Sequence, residues 1–423
     1  MTKEINHLRE YAQFTAFILI AVTSLFVSAG LIYAINYFNN YEAESGVLSS
    51  PGLAVNDGSA SGGQAIAFSE PTPQGTPTLT KTVLVNGLTK PWDLTFIADG
   101  TMFFTQRSNR FSVRETNGTV REIMRITDAV QGSEGGLLGV EVDPNFASNR
   151  YIYTCLTSNI SGPTDVRVAR WVMNSDYTAM TNRVDIVTGM NYTTGRHSGC
   201  RLKFGPDGYL WIGTGDSGTS TVPQDKYALG AKVLRVDRDG SPAPGNAGVG
   251  FDPRVYTYGH RNVQGLMFRP SDGQAFNVEH GTNVDDEVNR LVAGANYGYR
   301  PVKDDEPGRY YEQVPMTDTT RYPSAITATW SSGDPTIATS GGTFLDGPQW
   351  KGWNGRAVVG VQKGRHLMIL EFNQAGTQTL SVEQAFTADN YRLRSVEQGP
   401  DGNLYITTDN SGGTDQIWRV VPS

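Results

Sequence analysis

His197 and Asp216 stand at the two ends of a stretch that reads as one β-hairpin. Between them, residues 201–204 alternate, Gly205-Pro206-Asp207-Gly208 signals a turn, and residues 209–214 alternate again. Proline presets φ in such a turn and glycine accepts the positive φ. The chain runs out and back, which brings His197 and Asp216 to the same end of the hairpin. A histidine with a carboxylate in reach is a general base with an orienting partner. Taken alone, the stretch suits a structural histidine beside a turn at least as well, so the surrounding elements must decide.

Those elements repeat. Turn-centred units occur at Ala98-Asp99-Gly100, Asp143-Pro144-Asn145, Pro206-Asp207-Gly208, Ser271-Asp272-Gly273, Trp353-Asn354-Gly355 and Pro400-Asp401-Gly402. Hydrophobic strands follow them at 102–105, 151–154, 209–212, 274–278, 357–359 and 403–406, the unit at 271 being the weakest. Six units in roughly 340 residues allow about 57 each, close to the length of a propeller blade with loops inserted. The predicted fold is all-β, a six-bladed β-propeller over residues 81–423, whose functional loops surround a central channel.

Composition agrees with many short strands: 48 glycines, modest charge and few helix-favouring runs after residue 40. The net charge is −7, and no basic stripe occurs, so a nucleic-acid partner is excluded. Only two cysteines are present, Cys155 and Cys200. They either pair in an oxidising compartment or remain as buried thiols, and their number does not decide.

Ahead of the propeller, residues 14–35 form an uncharged apolar run long enough to span a bilayer. Lys3 and Arg9 precede it, and no lysine or arginine follows before Lys81. The positive-inside rule therefore places residues 1–13 in the cytoplasm and the bulk of the chain outside, on an uncleaved signal anchor. Residues 36–80 are rich in Gly, Ser and Pro and read as an extended linker, or as a strap along a partner protein.

The loops resemble those of the soluble quinoprotein glucose/sorbosone and aldose sugar dehydrogenases from Gly87-Leu88-Thr89-Lys90-Pro91-Trp92 to the last blade. The matching motifs are His197-Ser198-Gly199-Cys200-Arg201-Leu202, Gly215-Asp216, Gly259-His260-Arg261-Asn262-Val263-Gln264-Gly265, the loop from Glu279 to Glu287, and Gly294-Ala295-Asn296-Tyr297-Gly298-Tyr299. The resemblance implies a propeller using pyrroloquinoline quinone (PQQ) and calcium to oxidise a sugar or related alcohol. It implies His197, Asp216 and Arg261 as catalytic residues. Asn262, Lys363, Arg392, Arg394 and Trp330 would contact the quinone, and calcium would be held in the loop around His280, Gly281 and Thr282. The chemistry is coherent: a tricarboxylate needs converging cations, arginine forks bind carboxylates, and calcium takes oxygen ligands.

Four positions depart from the family pattern. Glu134 stands where a glutamine usually precedes Gly-Gly-Leu-Leu, which changes what a sugar hydroxyl meets. Thr282 replaces a proline, Ser395 replaces an aspartate after the arginine pair, and Cys200 replaces a glycine near His197. Arg261 and Arg394 equally suit ties between blades, residues 285–287 a solvated loop, and Trp92, Trp211, Trp330 and Trp353 blade packing. Two further functions fit the sequence: a non-catalytic propeller serving as an accessory subunit of a membrane complex, docked by helix and linker, and a calcium-dependent lactone hydrolase. The cluster of Lys363, Arg392 and Arg394 argues against the last.

Overall fold

The computed structural model describes residues 52–56, 64–68, 75–306, 308–410 and 412–423. The expected cytoplasmic segment and membrane helix, residues 1–35, lie outside these. Among the described residues no helix is long and apolar enough to cross a membrane. The chain divides into two compact units, 1–74 and 75–423. In the first, Gly52–Asn56 pairs antiparallel with Gln64–Phe68, so the expected linker carries a short β-ladder.

The second unit is the expected propeller of six four-stranded sheets. Its innermost strands are Pro91–Phe96, Leu137–Val142, Gly199–Phe204, Val263–Phe268, Thr339–Phe344 and Leu393–Gln398, here numbered as blades one to six. Each packs on the next, and the sixth packs back on the first. Blade six is completed by strand Leu79–Leu88, which pairs with Asp415–Pro422. The ring thus starts slightly before Lys81 and is fastened by its own ends.

All six repeat units mark the step from the first to the second strand of a blade. In five of them the aspartate side chain turns the chain by accepting the N–H two residues on: Asp99 from Thr101, Asp143 from Asn145, Asp207 from Tyr209, Asp272 from Gln274 and Asp401 from Asn403. The intervening Gly100, Gly208, Gly273 and Gly402 have φ of 92°, 79°, 71° and 75°, a region costly for other residues. After Asp143-Pro144-Asn145 the chain adds a one-turn helix, Phe146–Asn149, before the second strand.

Between the sheets, apolar side chains pack in successive layers. Tyr153, Cys155, Val168, Leu202 and Leu234 fill the space between blades two and three, and Trp350, Leu393, Ile406 and Trp418 that between five and six. Cys155 and Cys200 form a disulfide between blades two and three, which settles the alternative left open by their number. Cys200 has φ of 78°, which explains why glycine suits this position elsewhere in the pattern.

The axis is polar and cross-tied. Arg201 of blade three pairs with Asp93 of blade one, donates through Nε to the Gln264 carbonyl of blade four at 2.8 Å, and donates to Ser395 of blade six at 3.2 Å. Asp93 also accepts the Val140 N–H of blade two at 3.1 Å. Ser395, a departure from the family pattern, therefore closes this tie with its hydroxyl. At the other mouth of the channel, Lys203 pairs with Glu397 at 2.5 Å and lies 3.9 Å from Glu141. One lysine faces two buried carboxylates, and burial drives both carboxyls up, Glu397 to about 7.

Candidate active site

The hairpin delivers its two residues as the sequence predicts. Gly199 pairs with Thr214, so His197 and Asp216 flank the same end of the ladder. His197 Nδ1 lies 2.8 Å from Asp216 Oδ1, and both residues are buried. Arg196 donates its Nε hydrogen to His197 Nε2 at 3.2 Å. A donor on Nε2 and a carboxylate on Nδ1 fix the tautomer: the ring proton is on Nδ1, and the lone pair is on Nε2. That is the form a general base requires.

Asp216 is held from two further sides. The Gly218 N–H donates to Oδ1 at 2.7 Å, and the Tyr310 hydroxyl donates to Oδ2 at 2.7 Å. Tyr299 stands 2.9 Å behind Tyr310, hydroxyl to hydroxyl. Burial raises both phenols, Tyr299 to about 12, and the charge of Asp216 raises Tyr310 further. Both hydroxyls therefore keep their protons as donors. Tyr310 belongs to the long segment 291–329 inserted between the third and fourth strands of blade four.

Beside the dyad opens a cavity of about 340 Å³, within the range typical of small-molecule sites. Lys90, Arg107, Arg392 and Arg394 line it against two carboxylates, Glu134 and Asp409; Trp92, His280, Gln264 and Gln362 complete much of the wall. Arg394 donates to Asp409 through Nε at 2.8 Å, and both Arg392 and Arg394 reach Gln362 Oε1, at 3.0 and 3.1 Å. Burial and the like charge of Arg394 press Arg107 below the ordinary arginine range, and burial does the same to Arg392. Such cations gain from an incoming anion.

Glu134 joins the cavity to the dyad. Its Oε2 accepts from Asn262 Nδ2 at 2.9 Å, and Asn262 Oδ1 accepts the Gly199 N–H at 3.0 Å. Burial favours its neutral form, but interactions with His197, His280 and Arg261 and the Asn262 hydrogen bond outweigh it and hold the carboxyl below its usual range. Arg261 donates to the His280 carbonyl at 3.1 Å and to Glu312 at 3.0 Å.

In the loop after Glu279, Gly281 is packed so closely that an added Cβ would meet the Val284 carbonyl at 2.2 Å. Asp286 braces the loop by accepting the N–H groups of Gly281 and Ile337 at 2.9 and 2.7 Å. Its carboxylate is thus occupied with backbone, and among the described residues no group of three or more His, Cys, Asp or Glu is placed to hold a metal. Any ion here would rely on backbone carbonyls of residues such as Gly281 and Thr282 and on the bound group itself.

Two expectations change. Lys363 is exposed in the turn 362–365, where its N–H and that of Gly364 both bond the Ile337 carbonyl; the lysine on the cavity wall is Lys90. Trp330 pairs with Val288 in a two-residue strand and packs on the core between blades four and five. The aromatic at the cavity is Trp92, with Arg201 at 4.3 Å and Arg394 at 5.6 Å from its ring. Lys90 and Trp92 flank Pro91 in the first matched motif, so the signal for both was present. Arg196 directly precedes the His197 motif but is not part of it, and Tyr310 and Glu312 had no signal, since residues 300–329 carry no periodic pattern.

Residues 88–419 match the glucose/sorbosone dehydrogenase family. The chain belongs to that family. It is 27% identical to the aldose sugar dehydrogenase YliI of Escherichia coli K12, over 80% of this chain and 92% of that one. It is 26% identical to quinoprotein glucose dehydrogenase B of Acinetobacter calcoaceticus, over 78% and 86%. Among solved structures, the PQQ-bound aldose sugar dehydrogenase of Streptomyces coelicolor superposes with a TM-score of 0.65 at 26% identity, covering 82% of this chain and all of that one. The sequence-level resemblance and the propeller thus agree with PQQ-type sugar dehydrogenase homologues.

The residues present fit such a cofactor. Four cations converge on the cavity against two carboxylates, and buried polar atoms at its wall, His280 Nε2, Gln362 Nε2 and Asn410 Nδ2, have no protein partner. A planar, polycarboxylated quinone offers acceptors for all of these donors.

Proposed function

We propose that this protein is a PQQ- and calcium-dependent dehydrogenase that oxidises a sugar or related alcohol outside the cytoplasmic membrane. The carrying observation is the His197–Asp216 pair, fixed as a base, beside a buried cavity rich in cations. When bound, the quinone supplies the two-electron acceptor for the substrate's hydride.

The chain's own residues supply the rest. Arg392, Arg394, Arg107 and Lys90 would hold the quinone's carboxylates, with Trp92 on the same wall. Backbone carbonyls of Gly281 and Thr282 would hold calcium. His197 Nε2 takes the proton of the substrate hydroxyl, and Asp216 steadies the imidazolium that results. Glu134 accepts a hydrogen bond from a neighbouring sugar hydroxyl, and Arg261 stabilises negative charge that develops beside it. The disulfide supports an oxidising compartment, and the apolar run 14–35 supports an anchor that keeps the propeller near membrane electron acceptors.

The test is calorimetric titration of the full chain in detergent with PQQ and calcium, followed by dye reduction with a panel of sugars. Tight binding that is lost in Arg392→Ala/Arg394→Ala, and turnover that is lost in His197→Ala, are expected. Absence of quinone binding by the folded wild type overturns the proposal.

A further inference from the structure

His197 and Arg261 are roofed by the chain itself. They do not line the open cavity; Arg196, Tyr310 and Glu312 lie over them. Arg196 caps the base nitrogen through Nε and packs over the Tyr310 ring at 5.2 Å. The Glu312 carboxylate then bridges two guanidiniums, pairing with Arg196 through Oε1 and with Arg261 through Oε2 at 3.0 Å. It reaches them from the blade-four insertion, about fifty residues beyond Arg261 in the chain.

Two arginines converging on one carboxylate is the arrangement by which proteins bind carboxylate ligands. Here it is built next to the base nitrogen that a substrate hydroxyl has to reach. A substrate hydroxyl reaching it would have to displace the Arg196 Nε–H, which would bring the rest of the substrate against Arg196 and Glu312. Without Glu312, two cations would face that position. With it, their charge is met internally, and a substrate carboxylate would meet a like charge.

We propose that Glu312 is a specificity-determining residue: it fills an anion subsite formed by Arg196 and Arg261, and so admits neutral sugars while excluding sugar acids. This rests on the dehydrogenase reading above, and the experiment separates the two. The wild-type full chain and its Glu312→Gln and Glu312→Ala variants are loaded with PQQ and calcium. kcat/KM is then measured for galactose and glucose against galacturonate and glucuronate. Each cofactor-free protein is also titrated with galacturonate by calorimetry, and thermal unfolding checks that each is folded.

The wild type should strongly favour the neutral sugars. In both variants the uronate-to-aldose ratio of kcat/KM should rise by about 10- to 100-fold, the worth of a charge-assisted hydrogen bond gained. Galacturonate binding should appear in the cofactor-free variants and disappear again when Arg196→Gln is added. A wild type that prefers uronates overturns the proposal. So does an unchanged ratio together with no gain in uronate binding. If no protein oxidises any sugar, the dehydrogenase reading fails, and the cofactor-free titrations alone decide the role of Glu312.

Discussion

The Tyr310 hydroxyl donates to Asp216 Oδ2 at 2.7 Å, although 94 residues separate the two in sequence. The bond draws charge from the carboxylate that orients His197. Without it the carboxylate loses one of the donors that fix its orientation, and with that part of its hold on the His197 ring. Tyr310→Phe should therefore lower kcat/KM by about 10- to 100-fold, the worth of one hydrogen bond to a charged group. An unchanged kcat/KM in a folded variant would show that the tyrosine only fills space.

The axial ion pair between Arg201 and Asp93 joins blades that are far apart in the chain, and both residues are buried. Removing one partner leaves the other charge without compensation. Asp93→Asn should lower unfolding stability by about 3–5 kcal/mol. Denaturant titration measures this, and a loss below about 1 kcal/mol would mean that Ser395 and the backbone suffice.

Cys155 and Cys200 close a loop with a sequence separation of 45. Chain-entropy arguments give a link of this length about 4 kcal/mol, with typical measured values of 2–4. The double serine variant should unfold earlier in denaturant by that amount. Because Cys200 lies three residues beyond His197, it should also lose turnover before it loses its fold.

Glu397 predicts a pH dependence with a definite sign. Burial raises its folded-state carboxyl to about 7, with Asp93 and Glu141 adding to the shift and Lys203 opposing it. The folded chain therefore holds a proton that the unfolded chain releases near 4.5. This contribution is complete below about 4.5 and is lost as pH rises through 7, to a limit of about 3 kcal/mol. Glu397→Gln should flatten the decline of melting temperature between pH 5 and 8. A parallel decline in both proteins would place the titration elsewhere.

The hairpin carrying His197 and Asp216 was legible in the sequence because every determinant is local: two alternating strands, one Pro-Asp-Gly turn and a ladder register. The blade count was legible for the same reason, since each repeat unit marks one inter-strand turn. The cavity wall was not. Whether Lys363 or Lys90 reaches it depends on how the turn after a blade-five strand is bonded to Ile337, and whether Trp330 or Trp92 faces it depends on packing between blades. The two arginines singled out by motif order, Arg392 and Arg394, do line the cavity, but nothing in that order showed that Asp409 already binds one of them. Arg196 and Glu312 meet across more than a hundred residues, and no periodicity of the inserted segment announces the contact.

Strand Leu79–Leu88 leaves the ribosome early, yet its partner Asp415–Pro422 is made last. Throughout synthesis the first strand waits with an unpaired edge while five blades assemble behind it. Vectorial synthesis can stack those blades but cannot finish the ring, so a ribosome that stops before residue 415 releases a chain with a sticky edge at each end. Such products invite pairing between chains, and ring closure becomes the quality checkpoint of the whole propeller.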